Sequence, residues 1–134
     1  MSLERAPLVN IFVIDDDRLI ADTLAMVLRF SGFVATSFTN PLEALHRVQT
    51  DVPDLVITDV VMPEMNGIEF GIRTRELCPN CRVLLFSGQP LTAQILSEAH
   101  AQGHVFDILA KPVHPKDLLD KLAALHITPA RDAP

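Results

Sequence analysis

Val9-Asn10-Ile11-Phe12-Val13-Ile14 is an almost unbroken apolar run, and three aspartates, Asp15, Asp16 and Asp17, stop it. A strand with one wet face alternates apolar and polar residues, whereas a continuous run marks a strand buried on both faces. The rest of the chain repeats the unit. Between Arg18 and Phe30, Ile20, Leu24, Val27 and Leu28 fall on one face of a helix, which Ser31-Gly32 stops. Val34–Phe38 reads as a second strand. Asn40-Pro41, with Glu43, opens a helix that runs to about Val48. Leu55–Thr58 and Arg82–Phe86 read as strands three and four, with a loop from Asp59 to Asn66-Gly67 and a helix to Leu77 between them. Ser87 to Pro90 reads as a loop, Leu91 to Gln102 as a helix closed by Gly103, and Val105–Leu109 as a short fifth strand. His114-Pro115 opens a last helix, on which Leu118, Leu122 and Leu125 share a face. Five such units predict an α/β fold with a doubly wound five-stranded parallel sheet and helices on both faces.

The 134 residues make one domain, expected over 8–126, with 1–7 and 127–134 as tails or linker. A formal net charge of −6 disfavours a nucleic-acid surface or an anionic membrane as partner. No apolar run is long enough to span a bilayer and the start does not read as a signal peptide, so a cytoplasmic location is expected. Cys78-Pro79-Asn80-Cys81 has Cys-x-x-Cys spacing but lies between a helix and a strand, the wrong end for a redox thiol, and no second pair completes a zinc site. It reads as a surface-loop coincidence. The five histidines read as solvated.

In open parallel sheets, ligands bind at the carboxyl ends of the strands. Asp15 and Asp16 follow the first strand, Asp59 the third, Ser87 the fourth and Lys111 the fifth. Carboxylates gathered there repel one another unless cations sit among them. A hard cation with a lysine counter-charge is the arrangement for phosphoryl chemistry. Asp17, next in line, reads as a helix cap.

Ile14-Asp15-Asp16, Thr58-Asp59-Val60-Val61-Met62-Pro63 with Asn66-Gly67, Phe86-Ser87-Gly88 and Ala110-Lys111-Pro112 resemble the signature segments of the receiver domain of two-component response regulators. The resemblance covers about Val9 to Leu125. It implies a flavodoxin-like strand order, 2-1-3-4-5, and makes Asp59 the phosphoacceptor. It implies Mg2+ (or Mn2+) held by Asp15, Asp16, Asp59 and the backbone carbonyl of Val61. Ser87 and Lys111 would contact the phosphoryl group, and Val61 and Gln89 would tune its lifetime. The resemblance also implies a sensor histidine kinase or phosphotransfer protein as donor, and a conformational change that controls binding to a downstream protein. The face of the fourth helix, fifth strand and fifth helix would carry that output, including any homodimer. Such a domain assists its own phosphorylation and dephosphorylation but is not an enzyme in the ordinary sense.

One position departs from the pattern. An aromatic residue commonly stands where this chain has Ile108, and Phe106, two residues earlier, is expected on the same strand face. Three other readings compete. A dehalogenase-type phosphatase would use Asp15 as nucleophile, but the expected threonine is missing after Asp17. An FMN binder needs a hydroxyl- and glycine-rich loop where three aspartates stand. A pseudo-receiver, folded but never phosphorylated, is the remaining alternative, and it would normally have lost one of the site residues.

Overall fold

The structure is a computed structural model describing residues 8–88 and 90–130. Strands and helices alternate as β1 (Asn10–Ile14), α1 (Arg18–Phe30), β2 (Val34–Phe38), α2 (Pro41–Val48), β3 (Leu55–Asp59), α3 (Gly67–Leu77), β4 (Arg82–Ser87), α4 (Pro90–Ala101), β5 (Asp107–Ala110) and α5 (Pro115–Ala124). Every strand pairing is parallel, in the order β2-β1-β3-β4-β5. The doubly wound sheet expected from the alternating pattern is present.

Side chains of a strand alternate between faces, and β1 feeds two cores in this way. Phe12 and Ile14 join Val56, Val83 and Leu85 against Leu45 and Val48 of α2, Ile68 and Phe70 of α3, and Ala99 of α4. Ile11 and Val13 join Leu55, Ile57, Leu84 and Phe86 against Leu24 and Leu28 of α1 and Leu118 and Leu122 of α5. The register sets the strand ends level. Ile14 lies opposite Phe38 and Thr58, Asp59 opposite Phe86, and Ser87 opposite Ala110. The residues that follow these strands therefore meet along one edge.

Local chemistry fixes the helix starts. Asp17 caps α1 by accepting from the Leu19 and Ile20 N–H groups, as its position implied. Asn40 caps α2 through the Leu42 N–H, and Asn66 caps α3 through the Glu69 N–H at 2.8 Å.

Several boundaries differ from the sequence reading. Asp59 and Ser87 are the last residues of β3 and β4 rather than the first of loops, because each still pairs with its neighbour strand. α4 starts at Pro90, a residue the helix tolerates in its first turn. β5 begins at Asp107, two residues later than expected. Val105 is 62% exposed, while Phe106 turns in against Gly71 of α3 under the Arg75 guanidinium, 4.6 Å from its ring centroid. Phe106 therefore precedes the strand, and the strand-face argument that paired it with Ile108 does not apply. Residues 127–130 do not trail away from the domain. Ile127 packs on the α1–α5 core, Pro129 O accepts from Val9 N at 2.7 Å, and Ala130 bridges Leu8. The expectations for residues 1–7 and 131–134 lie outside the described residues.

The cysteines are not in a surface loop of the expected kind. They sit in a tight turn closed by Cys81 N to Cys78 O, but Cys81 is buried in the α3-side core, where loss of solvent pushes its thiol up to about 12. A thiol so hard to ionise is a core atom rather than a nucleophile.

Candidate functional site

Asp15 leaves β1 pointing into the domain and is 2% exposed. Its Oδ1 accepts from the Asp17 N–H at 2.9 Å, so the aspartate that caps α1 also orients Asp15. Its Oδ2 is buried and has no hydrogen-bond partner. Burial pushes the Asp15 carboxyl up to about 6. The Asp17 N–H opposes that, Asp59 adds repulsion, and the charges of Lys111 and Asp16 act in opposite directions with smaller weight. Asp16 is exposed beside it, and Asp59 is buried at the end of β3.

One carboxylate oxygen from each of Asp15, Asp16 and Asp59 lies within 4.8 Å of the others. Ligands around a small hard cation, at about 2.1 Å from it, stand up to about 4.2 Å apart, so the three oxygens are spaced almost as such an ion needs. The orphaned Asp15 Oδ2 supplies a second sign of fit, because a buried carboxylate oxygen is costly without a donor or cation. The donor set is all oxygen, which suits a hard divalent ion and not a soft one. Among the described residues no other group of three His, Cys, Asp or Glu is so placed, and the histidines contribute to none.

Lys111 Nζ lies 2.9 Å from Asp59 Oδ1, supplying the counter-charge. Its backbone is tied to the same edge, since Lys111 N donates to Ser87 O at 2.9 Å and the stem packs over Gly88. The Lys111–Pro112 peptide is cis. Asp59, Val61, Ser87, Gly88 and Lys111 line a cavity of about 220 Å³. A wider cavity of about 530 Å³ adjoins it. Asp15 and Lys111 stand in its wall with the apolar Ile20, Leu24, Pro112 and Val113.

The structure thus gathers Asp15, Asp16, Asp59, Lys111, Ser87 and Val61 at one edge. It leaves Ile108 elsewhere, 38% exposed in a separate cavity with Leu96, His100, His104 and Phe106. Gln89 lies outside the described residues. Two further residues touch the site, both within the quoted signature segments but given no role there. The Thr58 hydroxyl donates to the Asp59 carbonyl at 2.9 Å, and Gly67 abuts that same carbonyl. Thr58 stood out in the sequence only as a polar residue in an apolar strand and as the first residue of a signature segment, and neither signal names the contact it makes.

A family model for the response regulator receiver domain matches residues 11–123. The chain belongs to that family. It is 31% identical over 118 residues to the response regulator receiver protein CpdR of Brucella abortus, covering 88% of this chain and 97% of that protein. It is 29% identical to the response regulator MprA of Mycobacterium ulcerans, covering 87% of this chain but only 50% of that longer protein. Among solved structures, the chemotaxis protein CheY4 of Vibrio cholerae superposes with a TM-score of 0.76 at 27% identity, over 88% of this receiver and 98% of that chain. A CheY-like receiver domain of Methanospirillum hungatei gives a TM-score of 0.78 at 26% identity, over 89% and 94% of the two chains. No helix among the described residues is long and apolar enough to cross a membrane.

Proposed function

We propose that this receiver accepts a phosphoryl group on Asp59 from the phosphohistidine of a sensor kinase or phosphotransfer protein, in the cytoplasm. One observation carries the reading: the Asp59 carboxylate stands between two aspartates that share its reach and a lysine 2.9 Å away. In the transfer an Asp59 oxygen attacks phosphorus, the phosphorus–nitrogen bond of the donor breaks, and the imidazole leaves with its electron pair. The product is an acyl phosphate.

Asp15, Asp16, Asp59 and the Val61 carbonyl would hold Mg2+, or Mn2+ in its place. When bound, the ion neutralises charge on the phosphoryl oxygens. The chain's own residues do the remainder. Asp15 and Asp16 fix the ion's side of the site. Lys111 pairs with Asp59 at rest and with a phosphoryl oxygen afterwards. The half-buried Ser87 hydroxyl lies in the same cavity and donates to the phosphoryl group. Val61 is 60% exposed and offers no side-chain group to orient a water, which favours an acyl phosphate lasting minutes or longer. We place output in binding to a protein target through the α4–β5–α5 face, where Val105 and Ile108 are exposed. The phosphoacceptor unit is assigned to residues 8–126, with 127–130 packed against it.

Incubation with Mg2+ and acetyl phosphate, read by intact mass, tests the assignment. Wild type should gain one phosphoryl group and Asp59→Asn none. An unmodified wild type would favour the pseudo-receiver, and equal labelling of the variant would place the acceptor elsewhere.

A further inference from the structure

We infer that Gly67 is a positioning residue for phosphoryl transfer: with no side chain there, α3 starts directly against the main chain of Asp59. The inference rests on the reading of Asp59 as acceptor, and it adds what holds that acceptor in place.

The packing at this point is between backbones. A Cβ on Gly67 would fall well inside van der Waals contact with the Asp59 carbonyl oxygen, 2.9 Å from its carbonyl carbon and 3.1 Å from the Val60 Cα. Those are main-chain atoms of the acceptor and its neighbour, and they cannot rotate away as a flexible side chain would. Gly67 does not have the positive φ that Gly32 and Gly103 have. Space, not conformational freedom, is what the position requires.

Neither partner can yield without disturbing the site. On one side, Asp59 ends a central strand. It is in register with Phe86, and Val60 N donates to Phe86 O at 3.3 Å. On the other side, Gly67 N donates to Val60 O at 2.8 Å, and Asn66 caps the same turn. Moving β3 displaces the Asp59 carboxylate from Asp15, Asp16 and Lys111. Moving α3 pulls Val60 and, through one peptide bond, the Val61 carbonyl. The Thr58 hydroxyl holds the same Asp59 carbonyl from within the core.

Gly71, one turn further along α3, provides the matched comparison. A Cβ there would meet Val83 Cγ1 at 3.0 Å and Phe106 Cε1 at 3.1 Å, both side-chain atoms away from the acceptor. Gly67→Ala and Gly71→Ala therefore add the same methyl to the same helix. Only the first pushes on the acceptor.

Mg2+ binding to the unphosphorylated proteins is measured by calorimetry, and labelling by acetyl phosphate at saturating Mg2+, at a temperature where all variants are folded. Gly67→Ala should bind Mg2+ roughly 10- to 100-fold more weakly and label more slowly even when saturated. Gly71→Ala should melt earlier yet bind Mg2+ as wild type does. Wild-type Mg2+ affinity in Gly67→Ala, or an equal loss in Gly71→Ala, would overturn the inference. If Gly67→Ala does not fold, Thr58→Val decides: it frees the same carbonyl without adding bulk and should also weaken Mg2+ binding, and an unchanged affinity would overturn the inference. Failure of wild type to label would instead count against Asp59 as acceptor.

Discussion

Replacing Asp15 by asparagine should make the metal-free protein more stable at neutral pH while removing a metal ligand. Asp15 is 2% exposed, and its carboxyl is raised from 3.8 to about 6 by burial first, with repulsion from Asp59 adding to it. A carboxyl raised in the folded state favours folding while protonated. Its contribution is complete below the unfolded value near 3.8 and is lost as pH rises through about 6. By pH 7 the folded protein carries a buried charge that asparagine would not. A shift of about two units corresponds to roughly 2 to 3 kcal/mol. Asparagine keeps the side-chain oxygen that accepts from Asp17 N, so the α1 entrance is preserved. Urea unfolding with EDTA, from pH 4.5 to 7.5, gives the difference between wild type and Asp15→Asn. That difference should grow in favour of the variant as pH rises and level off above about 7. Saturating Mg2+ should shrink or reverse it, since the ion stabilises only the protein that binds it. The same carboxyl predicts Mg2+ affinity of wild type about tenfold weaker at pH 5 than at pH 7, because proton and ion compete for it. A difference flat across this range, or one growing toward acid, would refute the reasoning.

Lys111→Ala should slow acetyl phosphate labelling on the order of 100-fold, measured as an initial rate; a rate near wild type would show that the 2.9 Å pair with Asp59 is only structural. Val61→Asn places a group able to hold a water beside the cavity and should shorten the acyl phosphate lifetime several-fold after donor removal, without slowing labelling. An unchanged lifetime would count against a water-orienting role for this position. Alkylation of the native protein should modify Cys78 well before the buried Cys81, and equal rates would contradict the burial that raises the Cys81 thiol.

Short-range signals carried most of this fold. The unbroken runs that become β1 and β3 announced strands buried on both faces. Asp17, Asn40 and Asn66 announced helix starts, because a cap acts within a few residues of itself. β5 was placed two residues early because Val105-Phe106 looks like strand, whereas the slot over Gly71 that takes the Phe106 ring is built by a distant helix. The site divides in the same way. Asp15, Asp16, Asp59 and Lys111 stand out as charges ending apolar runs. Thr58 and Gly67 act on the acceptor's carbonyl, and that contact exists only once β3 and α3 are packed.

The bridge between Leu8 and Ala130 has a consequence for how this receiver can be wired. It brings the two described chain ends together at the amino end of the sheet, while Asp59 lies at the carboxyl end. A five-residue strand separates them by about 16 Å. Leu8 and Ala130 therefore sit on the pole opposite the phosphoryl group, away from the mouth of the site where a donor must dock. Between the two poles the described residues offer the paired strands of the sheet as a direct connection.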